Sequence, residues 1–76
     1  RERDKNMDIF IKEYNAKVKT LEFVKKAYGK CSFGSVDSSY QYLLGYANAL
    51  YDCGLITAND LQRAFDTTEK LFEEFK

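Results

Sequence analysis

The chain has 76 residues, which is enough for one small domain and no more. Hydrophobic residues make up 45% of it and aromatic residues 16%, a composition that supports a packed core and argues against disorder. Twelve basic residues balance twelve acidic ones, and the chain contains neither histidine nor proline. This composition excludes zinc sites of the Cys/His kind and a histidine general base, and it permits long uninterrupted helices.

No apolar run approaches the roughly 18 residues of a membrane span, and no signal-peptide core is present. We therefore expect a cytoplasmic protein with no membrane segment. The two cysteines, Cys31 and Cys53, lack the spacing of a metal site and are expected to be reduced, with Cys53 packed as a small apolar group at a helix end. A Cys31–Cys53 disulfide is conceivable. The chain begins at Arg1 rather than at a methionine, as a fragment of a longer protein would.

The first predicted helix covers about residues 5–28 and ends at Gly29. At 1.5 Å per residue it is about 36 Å long, so its ends are expected to project or to pair with another chain. A four-three spacing of apolar residues predicts its buried face, which Phe10 and Val24 widen. The residues of that spacing are Met7, Ile11, Tyr14, Val18, Leu21 and Tyr28. A second, thinner apolar edge contains Ile9, Ala16, Phe23 and Ala27.

Residues 29–37 contain two glycines and two serines and are predicted to form a loop. Phe33 and Val36 within it either cover the open end of the core or, for Phe33, form an exposed recognition site. The second helix is predicted over about residues 38–53, starting at a Ser38–Gln41 capping box. Its apolar residues extend around most of the circumference, so it is expected to be buried from two sides, as the middle helix of the unit or as part of a dimer interface.

The segment from Cys53 to Leu61 makes the most definite structural prediction. Gly54 suits the positive φ at which helices commonly end, and Thr57 with Asp60 predicts a capping box for a third helix over about residues 58–75. Ile56 and Leu61 flank this cap at the spacing of a hydrophobic staple. The predicted fold class is therefore all-α, a three-helix bundle in one domain (residues 1–76) with a long first helix and a tight hairpin between helices two and three.

Residues 43–71, with Leu50-Tyr51-Asp52-Cys53-Gly54-Leu55-Ile56-Thr57 followed by Asp60-Leu61, resemble the short C-terminal (SHOCT) helical hairpin of bacterial proteins. The same hairpin is similar to those of small helical proteins of phages and mobile elements. That resemblance implies a regulator or inhibitor of a host protein, such as a defence nuclease. The pattern is also similar to a helix-turn-helix, but Ala49 to Gly54 spans five residues rather than four, and Asp60 would meet DNA phosphates at the start of the recognition helix.

Charge is divided unevenly along the chain. Residues 1–37 carry nine basic and six acidic side chains, and residues 38–76 carry three basic and six acidic ones. Lysines recur every seven residues along the first helix, as Lys5, Lys12, Lys19 and Lys26. This stripe is either a solvent face, a set of partners for the acidic third helix, or a contact surface for phosphates or an acidic partner.

Four of the six tyrosines lie on the second helix. Since tyrosine is enriched at protein interfaces and four cannot easily be internal in one small bundle, Tyr42, Tyr46 and Phe33 are the candidate interface residues. With no phosphate loop and no nucleophile motif, the chain is predicted not to be an enzyme and to need no cofactor or metal. The predicted function is a protein-interaction module that binds another protein or itself. The alternatives are nucleic-acid binding through the lysine stripe and homo-oligomerisation of a larger protein.

Overall fold

A computed structural model describes the backbone of residues 2–75 and the side chains of residues 7–75. Three helices occupy this part of the chain: α1 (Glu2–Tyr28), α2 (Phe33–Asp52) and α3 (Ala58–Phe75). They form an all-α three-helix bundle in which α2 and α3 pack more extensively on each other than either does on α1. The predicted fold class is confirmed. Within residues 2–75, none of the helices combines the length and the apolar character that crossing a bilayer requires.

The core lies between the three helices and reaches into the α2–α3 turn through Ile56. Alanines from α2 and α3 bring the two helices close together, and larger side chains fill the space between them and α1. Its members are Phe10, Leu21, Val36, Leu43, Ala47, Leu50, Ile56, Ala64, Leu71 and Phe75. The expectation that α2 is buried from two sides is wrong, because its buried residues Val36, Leu43, Ala47 and Leu50 share one face and Tyr42, Ala49 and Cys53 on the second apolar face are exposed.

The turn between α2 and α3 has the predicted construction. Gly54 adopts φ 74°, and the amides of Gly54 and Leu55 donate to the carbonyls of Tyr51 and Leu50, which is the Schellman pattern. The Thr57 amide donates to Asp60 Oδ2 at 3.2 Å, and the Asp60 amide donates to Thr57 Oγ1 at 3.1 Å, so the capping box is reciprocal. The polar ends of both helices are therefore satisfied locally.

The predicted start of the second helix at residue 38 is wrong, because α2 begins five residues earlier at Phe33. Ser32 has extended backbone angles, and its hydroxyl oxygen accepts the amide of Ser35, which makes it the N-cap. Val36 in the second turn is then buried in the core, and this burial favours the earlier start. Capping by Ser32 together with burial of the Val36 side chain is therefore favoured over the predicted cap formed by Ser38 and Gln41.

The buried face of α1 also differs from the predicted spacing. Phe10 is buried, whereas Ile11 is 45% exposed and Tyr28 is 79% exposed. Phe10 replaces Ile11 because the helix turns about 100° per residue, so one of two neighbours must leave the core, and the larger ring is retained. Tyr28 lies beyond the core because the chain folds back after Gly29 and the Cys31 thiol donates to the Leu21 carbonyl at 3.2 Å. The end of α1 at Tyr28 therefore lies outside the core, although Val24 and Lys25 still lie beside the start of α2 and the end of α3.

Both cysteines are free thiols. Cys53 is exposed at the C-cap of α2, so the expectation that it packs as a small apolar group is wrong. The whole of α2 separates Cys53 from Cys31, and 20 helical residues span about 30 Å. A disulfide needs Cα atoms within about 7 Å, so the two thiols do not form one within a chain.

Candidate protein-interaction surfaces

Aromatic side chains meet where the start of α2 lies against the end of α3. The Phe72 ring lies 6.0 Å from that of Phe33 and 4.6 Å from that of Tyr40, measured between ring centroids. Phe33 and Tyr40 reach the same side of α2 because they are two turns apart. The Phe33 side chain is nevertheless 74% exposed, since it rests on Phe72 from outside and does not enter the core. This end of the bundle presents a large aromatic side chain to solvent.

The same side continues for about one further turn along α2 and about two along α3. Leu44 follows Tyr40 by four residues on α2, and Phe65 precedes Phe72 by seven on α3; both are half-buried. Together they form an apolar strip that we call the α2–α3 seam. Its members are Phe33, Tyr40, Leu44, Phe65 and Phe72. Contiguous apolar patches on a protein surface commonly mark sites of interaction, and the seam is a candidate for one.

Tyr42 lies on the opposite edge of α2, against α1. Its hydroxyl donates to Glu13 Oε1 at 2.9 Å, and Lys17 Nζ lies 4.2 Å from the centre of its ring. Tyr46 is half-buried beside it, with ring centroids 5.9 Å apart. Phe33 and Tyr42 are nine residues, about two and a half turns, apart and therefore project in opposite directions. The three predicted interface residues do not form one surface.

The hydrogen bond to Glu13 also affects the ionisation of Tyr42. It favours the neutral phenol and raises the pKa of Tyr42 above its usual 10.0, and desolvation and the negative charge of Glu13 act in the same direction. Partial burial, with a smaller effect of Glu74, likewise raises the pKa of Tyr14. In the unfolded chain both phenols ionise at lower pH than in the folded protein.

Stability should therefore be retained below pH 10 and should fall as the pH rises through the folded-state pKa values of Tyr14 and Tyr42. Thermal unfolding midpoints measured between about pH 9 and pH 11.5 test this expectation. The variant Tyr42→Phe should lose its stability less steeply over that range than the wild type, because only Tyr14 then contributes. Equal slopes for the two proteins would show that the Glu13 bond does not persist in solution.

The lysine stripe is exposed along α1. Lys12, Lys19 and Lys26 are all exposed, and Lys26 also lines a surface cleft with Glu74 and Phe75 of α3. The side chain of Lys5 lies outside the described residues. Among the side chains of residues 7–75, the only ion pair within 4 Å joins Arg63 to Asp60, so these three lysines are not paired with the acidic residues of α3. For these three lysines no ion pair supports that predicted explanation, and their exposed side chains are available to a partner.

The second apolar edge predicted on α1 lies beside this stripe. Ile9 is 42% exposed and Phe23 is 71% exposed, with the exposed Ala16 midway between them. The sequence therefore identified the α1 residues of this face. It missed Tyr40 and Phe72 as surface residues, since both fall on faces that also contribute to the core. The seven-residue spacing of Phe33 and Tyr40 would have indicated the seam if the Ser32 cap had been recognised.

No family model, no curated protein and no solved structure matches this chain. The resemblance of residues 43–71 to the SHOCT hairpin and to small phage proteins therefore stays a prediction. The Schellman turn and the reciprocal capping box account for those residues as a means of ending one helix and starting another.

Proposed function

We propose that this protein is a non-catalytic protein-interaction module and that the α2–α3 seam is its binding surface. The observation that carries the proposal is the 74% exposure of Phe33 beside the half-buried rings of Tyr40 and Phe72. Aromatic side chains bury about 150–250 Å² each and dominate the energetics of many interfaces. A partner that covered Phe33 and the half-buried rings behind it would remove a substantial apolar surface from water.

The supporting rings are already ordered before binding. Phe72 contacts both Phe33 and Tyr40, and it is itself packed against the core. A side chain that is held in place loses little rotational freedom when a partner covers it, which lowers the cost of association. A role as a regulator or inhibitor of a host protein, encoded by a phage or mobile element, is consistent with such a module and draws its support from the resemblance of the hairpin.

Substitution of Phe33 tests the proposal because this side chain is mostly exposed and contributes little to folding. Tyr28→Ser is the matched control, since it removes an aromatic side chain that is 79% exposed at the end of α1. Immobilised wild-type protein and Tyr28→Ser should retain the same proteins from a lysate of the source cell, and Phe33→Ser should lose them. Equal retention by all three proteins, confirmed with the purified binding partner, would overturn the proposal. Circular dichroism checks that Phe33→Ser remains helical.

A further inference from the structure

The outward side of α1 carries two parallel rows of exposed residues, which we call the α1 outer face. One row is basic, with Lys12, Lys19 and Lys26, and the other is apolar, with Ile9, Ala16 and Phe23. Members of each row are seven residues apart, about 10.5 Å along the helix, so each row runs nearly parallel to the helix axis. The apolar residues of this face have no covering element within the described part of the chain.

A complementary pair of rows runs along α3. Asp66, Glu69 and Glu73 form an exposed acidic row, and Asp66 and Glu73 have the same seven-residue spacing as the lysines. The rings of Phe65 and Phe72 in the α2–α3 seam lie next to this row. The basic and apolar rows of α1 are thus complementary to the acidic and aromatic rows of α3. In both helices, successive residues of a row are about 10.5 Å apart along the axis.

The order of the rows fixes the relative direction of the two helices. On α1 each apolar residue follows a lysine by four positions, as Phe23 follows Lys19, and so lies about 40° further round the helix. On α3 the acidic residues lie further round the helix than the aromatic ones, by about 40° for Glu69 after Phe65 and by about 100° for Asp66 after Phe65 and Glu73 after Phe72, so the order is reversed. When the two helices are parallel and face each other, the lysines lie opposite the acidic residues and the apolar residues lie opposite the rings. Positions g and e of neighbouring helices meet in the same way in a parallel coiled coil. An antiparallel arrangement would place lysines over phenylalanines.

We infer that the α2–α3 seam of one copy of this protein binds the α1 outer face of a second copy, with the helices parallel. Lys19 then lies opposite Asp66 of the second copy, and Lys26 lies opposite its Glu73. Ala16 and Phe23 then lie near the levels of Phe65 and Phe72, and Phe23 is accessible to the neighbour because it is 71% exposed. This inference rests on the proposed function, because it names the partner of the seam.

Charge favours binding of the α1 outer face to the seam of a second copy over pairing of α1 with α1 and over binding of a nucleic acid. The chain has no net charge, so two copies do not repel each other at long range. Pairing of α1 with α1 of a second copy would oppose two rows of lysines and is disfavoured for that reason. A nucleic acid would satisfy the lysines, but it would leave the apolar row uncovered.

Native mass measured by light scattering at about 50 mM salt, where surface charges are weakly screened, tests the inference. Wild-type protein should associate, and association should weaken as salt is added. Lys19→Glu/Lys26→Glu and Asp66→Lys/Glu73→Lys should each associate at least about tenfold more weakly, since like charges then face each other. An equimolar mixture of these two variants should associate again, because both contacts regain opposite charges.

Lys30→Glu/Lys70→Glu is the matched control, because it makes the same change in net charge at exposed lysines outside both rows. It should associate like the wild type. In its mixture with Asp66→Lys/Glu73→Lys, only the contact between the lysine row of that variant and the acidic row of the control has opposite charges, so this mixture should gain less than the mixture of the two row variants. A strictly monomeric wild type at about millimolar concentration, where even weak dimers with Kd near 1 mM form, would overturn the inference. So would a monomer that instead shifts a generic DNA duplex in a salt-sensitive manner. If the monomer still captures a partner that Phe33→Ser loses, the proposed function stands while this inference falls.

Discussion

Replacing Leu43 by alanine should lower the free energy of unfolding by about 2–5 kcal/mol. Leu43 lies midway along α2 with 0% of its surface exposed, between the faces that contact α1 and α3. Its removal leaves a cavity that rigid neighbouring helices cannot close, so the loss exceeds the transfer free energy of the deleted carbons. A chain of this length is stabilised by about 4–11 kcal/mol in total. The variant should therefore lose a large fraction of its total stability.

Urea unfolding followed by circular dichroism measures this loss, with Ile11→Ala as the control. Both variants remove branched apolar carbons from a helix, but Ile11 is 45% exposed and should cost less than about 1 kcal/mol. A loss below about 1 kcal/mol for Leu43→Ala would show that the centre of α2 is not the tightly packed part of the core.

Replacing Gly54 by alanine should destabilise the protein by about 1–2 kcal/mol, although the new methyl group meets no other atom within 4 Å. The cost is conformational, since Gly54 has φ 74° and an L-residue with a Cβ is strained there. A shift of φ to a relaxed value would instead break the hydrogen bonds that the amides of Gly54 and Leu55 donate at the end of α2. The thermal midpoint should drop by roughly 4–16 °C, at 4–8 °C per kcal/mol for a domain of this size.

Replacing Gly45 by alanine should instead stabilise the protein. Gly45 is exposed in the interior of α2, and a Cβ there also meets nothing within 4 Å. Alanine should stabilise the helix by about 0.5–1 kcal/mol, because it loses less backbone freedom on folding. Equal thermal midpoints for Gly54→Ala and Gly45→Ala would contradict the assignment of the Schellman turn.

Features formed by residues close together in the sequence were predicted correctly, and features for which two segments competed were not. The turn at Gly54 and the capping box of Thr57 and Asp60 were predictable because each is formed by hydrogen bonds between residues only a few positions apart in the chain. The start of α2 was not, since two serine caps competed for it and the burial of Val36 favoured Ser32. Likewise, the choice between Phe10 and Ile11 on α1 depends on what α2 and α3 place opposite them.

The candidate surfaces divide in a similar way. The outward face of α1 could be read from the seven-residue recurrence of Lys12, Lys19 and Lys26, since a helical period is a property of one segment. The α2–α3 seam could not, because it requires Phe72 to lie between Phe33 and Tyr40, and these residues are more than 30 positions apart in the chain. The sequence also grouped Phe33 with Tyr42, which the early start of α2 places on opposite edges.

By itself the sequence determined that this protein is an all-α bundle, where its first helix ends, and how α2 turns into α3. These features follow from the helical period of apolar residues and from backbone hydrogen bonds that close within a few positions. Only the tertiary structure decided which aromatic side chains enter the core and which remain on its surface. That outcome depends on the space left between three helices, where a ring such as Phe33 is excluded once Val36 and Phe72 have filled the available volume.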